Sequence, residues 1–469
     1  MVFSSLPFLF LFAPVFFLIY GVCPRRWKNW ALFAGSLAFY AVGVWQTPGD
    51  LLLMAASWLV TFLVGLHLHP HSTHRRLWLI LGLSYHFFWL FLFKYAGFFW
   101  DNLSALWGAL SHTAAAGRTW EMTLPLGISF YTFQAASYLI DLYRRDALPE
   151  ESPLRLALHL FMFPHLTAGP IVRYPDAAPQ LRERQTSLAQ VDRGLRTFVL
   201  GLGYKVLLAN RVGALWSDIA AVGYESISTP LAWMGAAAYS LQIYFDFYGY
   251  SLMAMGLGEM MGLTIPENFR QPYLALSMTD FWRRWHITLG RWFRDYLYIP
   301  LGGNRCGTGR TIRNLFVVWL FTGLWHGASW NFVLWGLLLF VLLNVERAGL
   351  RRQLERFPAL GHLYMLFAIP LSWTVFAITD IRELGVYFHR LFPIGTSAAG
   401  LFAGDWLEQL QIYGGFLAVG LLFCTDLPRR VWERIRKTPL AVILLLAIFW
   451  AAVYCLYRGL NDPFLYFRF

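Results

Sequence analysis

Apolar runs about as long as a bilayer core is thick recur from one end of this sequence to the other, and they constrain the fold more than any motif does. A hydrocarbon layer about 30 Å thick takes about 20 residues of helix to cross and leaves no backbone group unpaired, so such a succession has to form spanning helices. Hydropathy places the spans at 6–22, 29–45, 51–66, 77–93, 124–142, 197–209, 231–253, 314–327, 330–344, 363–379, 411–424 and 440–457. The expected fold class is an all-α, polytopic integral membrane protein with about 11–12 transmembrane helices, plus re-entrant or interfacial helices. By motif content the chain divides into N-terminal helices at 1–120, a core at 121–345, and C-terminal helices with a tail at 346–469.

Composition removes the alternatives. Of 469 residues 58% are hydrophobic and only 14% charged, where soluble domains carry about 25% charge. Aromatic residues make up 18%, which excludes disorder and collagen-like repeats. Cys23, Cys306, Cys424 and Cys455 have neither paired nor metal-ligand spacing, so neither a disulfide framework nor a metal site is expected. His67, His69, His71 and His74 crowd one loop without accompanying Cys or carboxylates, and that pattern is a poor metal site too.

The net charge of +12 could serve nucleic acid or orientation. With the amino terminus outside, most of the Lys and Arg fall in alternate connections, beginning with Arg25, Arg26 and Lys28. That asymmetry is the positive-inside pattern, so orientation accounts for the charge and no nucleic-acid partner is expected. It also puts both termini outside and makes the first span a retained helix rather than a cleaved signal.

Two apolar segments, 156–170 and 296–303, are too short to cross and too apolar for an exposed loop. Irregular backbone at membrane depth survives only against protein or a water-filled space, so they imply an internal cavity. The residues that would use it follow. His326 is a lone imidazole in an apolar helix, roughly 20 Å along a crossing of about 30 Å, and an ionisable group at that depth is a functional candidate by default. Over 279–295 the spacing predicts one amphipathic helix, with Trp282, Trp285, Leu289 and Trp292 on one stripe, Arg284, Thr288 and Arg291 on another, and His286 on the inward side. The guanidinium groups suit the phosphates of an anionic donor. A polar span carrying Ser129, Tyr131, Thr132, Gln134 and Ser137, and the group Tyr244, Asp246 and Tyr248, either line the cavity or bond helix to helix.

Several stretches now stand together: Pro125-Leu126-Gly127-Ile128-Ser129-Phe130-Tyr131-Thr132-Phe133-Gln134, Phe163-Pro164-His165-Leu166-Thr167-Ala168-Gly169-Pro170-Ile171, Tyr244-Phe245-Asp246-Phe247-Tyr248-Gly249-Tyr250-Ser251, the segment 280–303, and Leu324-Trp325-His326-Gly327-Ala328-Ser329-Trp330. In this order the sequence resembles the membrane-bound O-acyltransferase family, and within it the bacterial alginate O-acetyltransferase type. The resemblance covers about 120–345; the flanking helices match in character only.

The resemblance implies acyl transfer through a membrane tunnel in the bacterial inner membrane, from cytoplasmic acetyl-CoA, a substrate rather than a resident cofactor, to an exported polysaccharide. Alginate is favoured, with peptidoglycan and cellulose open. His326 matches the family's essential histidine and His286 the second. A neutral imidazole, with an ordinary pKa of about 6.5, can take the proton of an attacking hydroxyl, so His326 is the expected general base. Arg284, Arg291, Trp285 and Gln134 are the expected donor-binding residues. The run Phe464-Leu465-Tyr466-Phe467 is similar to an acyl-relay motif of bacterial relatives, which would make Tyr466 a covalent acetyl carrier; its other reading is an aromatic interface anchor. The expected partners are a periplasmic acetyltransferase or esterase-like protein, membrane lipid, and a polysaccharide reached indirectly. The alternative function is a transporter or flippase without acyl-transfer chemistry.

Overall fold

The computed structural model describes residues 1–111, 122–167, 169–393, 403–460 and 465, and the secondary structure of these is helical throughout, with no strand among them. Among the described residues six helices are long and apolar enough to cross a membrane: Gly49–His67, Arg75–Lys94, Leu188–Val222, Trp330–Arg356, Pro358–Ala377 and Pro439–Tyr457. A seventh is reached if Asp405–Phe423 and Leu427–Ile435, bent by 74°, form one broken span. Other expected spans are helices of different character. Ile128–Arg144 (α1) is buried along nearly its whole length. Its polar residues face protein, so lipid-like hydropathy is not required of it.

By packing the chain divides into two compact units, one of residues 1–194 with 257–266 and the other of residues 195–256 with 267–469. The threefold division expected above follows motif content along the sequence, whereas this one follows contacts.

In the first unit α1 begins at Gly127, whose φ of +77° and close approach to the Leu166 carbonyl, 2.7 Å from where a Cβ would stand, leave no place for a side chain. After α1 comes the short helix Pro153–Phe161 (α2), started by Pro153 and by the Ser152 hydroxyl, which accepts from the Arg155 backbone N–H at 3.4 Å. The chain is extended at Met162 before a further turn at Phe163–Leu166. This is the broken apolar segment read from the sequence. One buried carboxylate ties it down. Glu150 accepts from Arg155 Nη2 at 2.6 Å, from the Ser152 N–H at 3.0 Å and from the Tyr174 hydroxyl at 2.8 Å, while its own N–H donates to the Tyr138 hydroxyl of α1 at 2.9 Å.

The second unit contains all but the last turn of Thr229–Met260 (α3), and Met278–Arg284 (α4), Ile287–Phe293 (α5), Thr308–His326 (α6), Trp330–Val345 (α7) and Pro358–Ala377 (α8). α6 and α7 form a tight hairpin. A methyl group on Gly323 would collide with the Phe332 carbonyl oxygen, and one on Gly336 with the Trp319 carbonyl oxygen, so the two backbones touch where these glycines face. In the first turn of α7, Asn331 donates to the carbonyls of Val375 and Phe376 at 3.3 and 2.9 Å, fastening the end of α8 to the hairpin.

Glu150 lies outside the spanning helices. Burial would raise its carboxyl, but the hydrogen bonds from Arg155, Ser152 and Tyr174 outweigh burial and hold it below the ordinary carboxylate value. A depressed folded-state pKa stabilises the fold above the unfolded value, about 4.3, and that contribution disappears as pH falls through the folded one. Glu150→Gln is therefore expected to cost about 1–3 kcal/mol near pH 7, seen as a lower melting temperature in detergent. The gap to the parent should close as the pH is taken below about 4; a gap independent of pH would refute this account of the cluster.

Candidate active site

The single amphipathic helix expected over 279–295 is not what forms. α4 stops at Arg284, Trp285 is extended, and α5 starts at Ile287. His286 sits between them at φ 44° and ψ 52°, a left-handed conformation that costs a non-glycine residue about 1–2 kcal/mol. The break is held by the segment Asn268 to Arg270. The Asn268 carbonyl accepts from the Ile287 N–H at 3.0 Å, and the Arg270 N–H donates to the Arg284 carbonyl at 2.9 Å. The backbone groups that a continuous helix would have paired internally are paired to this segment instead. The Trp and Arg stripes therefore do not run through, because the helical phase is reset at His286.

The same asparagine sets the tautomer of the histidine. Asn268 Oδ1 accepts from the Thr288 backbone N–H at 3.2 Å and from the Thr288 hydroxyl at 2.9 Å. A backbone N–H can only donate, so the atom facing it is the amide oxygen. His286 Nδ1, 3.1 Å from that oxygen, must then carry the proton. The neutral ring's lone pair is on Nε2, the form that accepts a proton or a hydrogen bond from a reactant.

His286 forms part of the wall of a cavity of about 1050 Å³ bounded by α4, α5, α6 and the chain following α7. Its other walls carry the guanidinium-bearing residues Arg283, Arg291, Arg294, Arg347, Arg351 and Arg352, with Thr279, Trp282, Tyr298, Asn304, Trp319 and Thr322. Arg294 pairs with Asp295 at 2.7 Å and Arg351 with Glu355 at 3.1 Å, whereas Arg283, Arg291, Arg347 and Arg352 form no ion pair among the described residues. The carboxylate at the wall, Glu346, is occupied at the start of α4, where it accepts from the N–H groups of Met278 and Thr279 at 2.6 and 2.9 Å and from the Thr279 hydroxyl at 2.6 Å. The cavity is therefore electropositive and suits a phosphorylated or otherwise anionic ligand.

His326 is the last residue of α6, at the hairpin turn, not in mid-helix. It is 5% exposed, its ring packed edge-on against Trp335 and Phe376 at centroid distances of 5.1 and 5.2 Å. The Trp325 ring packs against both histidines, 6.0 Å from His286 and 4.9 Å from His326 by ring centroids. The cavity reaches Thr322, one turn before His326 on α6, and does not include His326 itself.

Of the expected donor-binding residues, Arg291 lines the cavity. Arg284 is turned onto Asp280, with nitrogen-to-oxygen distances of 3.0 Å for both pairs. Trp285 is 1% exposed, packed on Trp373 and Phe281 at 4.8 and 5.4 Å. Gln134 belongs to the first unit, where its amide accepts from His165 Nδ1 at 2.9 Å and donates to the Leu160 carbonyl at 2.9 Å. Tyr466 lies outside the described residues. Sequence reasoning missed Asn268, which carries no periodic signal, and Arg347, Arg351 and Arg352, which count toward orientation and so pass as ordinary loop charges. Among the described residues no cluster of three or more His, Cys, Asp or Glu could hold a metal ion.

Comparison with known proteins gives this geometry its context. The model of the membrane-bound O-acyltransferase family matches residues 37–379. A Pseudomonas putida protein named "Probable alginate O-acetylase" is 36% identical over the full length of both chains. The peptidoglycan O-acetyltransferase of Helicobacter pylori is 39% identical over 82% of this chain and 78% of its own. The teichoic acid D-alanyltransferase of Bacillus subtilis is 29% identical over 52% of this chain and 64% of its own. With a family match over most of its length and a full-length relative, this chain belongs to the membrane-bound O-acyltransferase family and is a membrane-embedded O-acyltransferase.

Proposed function

We propose that the protein takes acetyl from cytoplasmic acetyl-CoA and passes it across the bacterial inner membrane for O-acetylation of an exported polysaccharide, alginate before peptidoglycan or cellulose. The observation that carries this reading is the electropositive cavity with an oriented imidazole in its wall. Its arginines would hold the donor's phosphates, and His286 would meet the thioester end.

In the transfer, an acceptor hydroxyl loses its proton to His326 as its oxygen adds to the thioester carbonyl. The C–S bond then breaks, and coenzyme A leaves as the thiol after recovering that proton. Names among the relatives that cover most of this chain, an alginate O-acetylase and a peptidoglycan O-acetyltransferase, support acetyl transfer to an exported polymer. Full-length similarity to the first favours alginate. Tyr466 is proposed as the relay that receives acetyl from this centre and gives it to a periplasmic transferase, with both chain termini on that side.

Three variants test the reading. Purified protein should turn over acetyl-CoA, and His326→Ala should lower turnover at least ~100-fold, the scale of a lost acid-base group. Asn268→Ala, which removes no reacting group, should lower kcat and alter its pH profile. Turnover unchanged in His326→Ala would contradict the mechanism. Tyr466→Phe keeps the ring and deletes the hydroxyl, so it should abolish polymer acetylation in cells while acetyl-CoA turnover persists. Full acetylation in that variant would eliminate the relay.

A further inference from the structure

The first unit carries two cations that share a ring and have no acidic partner. Lys28, at the start of the helix Lys28–Gly43, and Arg184, in the chain just after Tyr174–Arg182, both stand over Tyr20, with Nζ 4.7 Å and the guanidinium carbon 6.0 Å from the ring centroid. Tyr20 belongs to the helix Ala13–Val22 and is 2% exposed. The groups that hold the two cations in place are neutral. Arg184 Nε donates to the Tyr20 hydroxyl at 3.0 Å and Nη1 to Asn29 Oδ1 at 2.6 Å, while Lys28 Nζ donates to the Thr186 hydroxyl at 3.2 Å. The Tyr20 and Thr186 hydroxyls in turn donate to one acceptor, the Met261 carbonyl, at 2.9 and 3.5 Å. Gly262 permits that approach: its φ is +78°, and a Cβ there would stand 2.5 Å from the Gln185 carbonyl oxygen.

Neither cation forms an ion pair among the described residues, although Glu183 is Arg184's neighbour in the chain, and Arg184 Nη2 is buried with no hydrogen-bond partner among them. Two positive charges on one ring repel, and neutral acceptors fix their positions without cancelling the repulsion. Membrane orientation explains why cations occur in these connections, not why two of them are aligned on one tyrosine. An ammonium beside a guanidinium is the pairing that takes phosphate oxygens. The surroundings add a second requirement. Leu18, Ile19 and Val22 on the Tyr20 helix, and Trp27 and Trp30 on either side of Lys28 in the chain, are all exposed. Tryptophan in such a place marks the headgroup level of a bilayer, with apolar side chains meeting the acyl region. A free anion has no use for that apolar surface, and an anionic amphiphile does.

We propose that Lys28 and Arg184 bind the phosphate of an anionic phospholipid whose acyl chains lie along the exposed side of Ala13–Val22. A headgroup of the phosphatidylglycerol kind, with one negative charge and no ammonium, relieves the repulsion between the two cations. A zwitterionic headgroup brings a third cation toward them. The site does not rest on the acyl-transfer reading.

The test measures lipid retained by the full-length protein in a neutral detergent, by native mass spectrometry, on titration with phosphatidylglycerol or with phosphatidylcholine of the same chain length. The parent should hold phosphatidylglycerol at least about tenfold more tightly than phosphatidylcholine, and Lys28→Gln with Arg184→Gln should abolish that preference. Lys28→Gln alone leaves the bonds among Tyr20, Arg184 and Asn29 in place; it should lose part of the preference and serves should the double variant fail to fold. Arg434→Gln with Lys437→Gln, which removes two cations from the second unit, should leave the preference intact. Equal affinity for the two lipids in the parent, or an undiminished preference in the Lys28 and Arg184 variants, would overturn the site. Inorganic phosphate that displaces phosphatidylglycerol at equal concentration would make it a free-anion site and overturn the lipid.

Discussion

A helix interrupted in an apolar setting must hand its freed backbone groups to other donors and acceptors, and here one short segment does so. The Asn268 carbonyl receives the first N–H of α5, the Arg270 N–H reaches the last carbonyl of α4, and the Asn268 side chain takes the next N–H together with His286 Nδ1. Without these bonds the sequence from Met278 to Phe293 would run on as a helix, since both halves have helical spacing. The left-handed turn at His286, worth about 1–2 kcal/mol of strain, is sustained by them. Chemistry and fold thus depend on the same few contacts: what breaks the helix also selects which nitrogen carries the lone pair.

The surroundings of His326 follow a different logic, that of close packing. Glycines at 323 and 336 let α6 and α7 touch, Asn331 draws the end of α8 against the hairpin, and Trp335 and Phe376 close on the imidazole. One histidine is oriented by hydrogen bonds at a cavity wall and the other is caged by aromatic rings, with Trp325 packed against both.

Much of this was legible in the residues alone. The membrane class follows from apolar run length, and His326 stands out because an imidazole is expensive in an apolar helix. The broken segment around α2 is announced by Pro153 and Pro164 inside an apolar stretch too short to cross. Helix count was harder, because α1 is buried in protein and its Ser, Thr and Gln residues blur a hydropathy scale meant for lipid. The break at His286 was invisible, since its cause is a partner in a loop eighteen residues away and no periodicity reports that. Arg347, Arg351 and Arg352 were counted correctly as basic loop residues, yet charge counting does not say which way a loop folds.

The central claim is that the basic cavity whose wall holds His286 receives a phosphorylated acyl donor. The most direct measurement is equilibrium binding of coenzyme A to the purified protein, with and without Arg291→Ala and Arg347→Ala in combination. Each charge-assisted contact is worth about 1.5–3 kcal/mol, so the account predicts measurable binding to the parent, weakened by added salt and reduced more than tenfold in the variant. Equal affinity in parent and variant would place the donor elsewhere and contradict it.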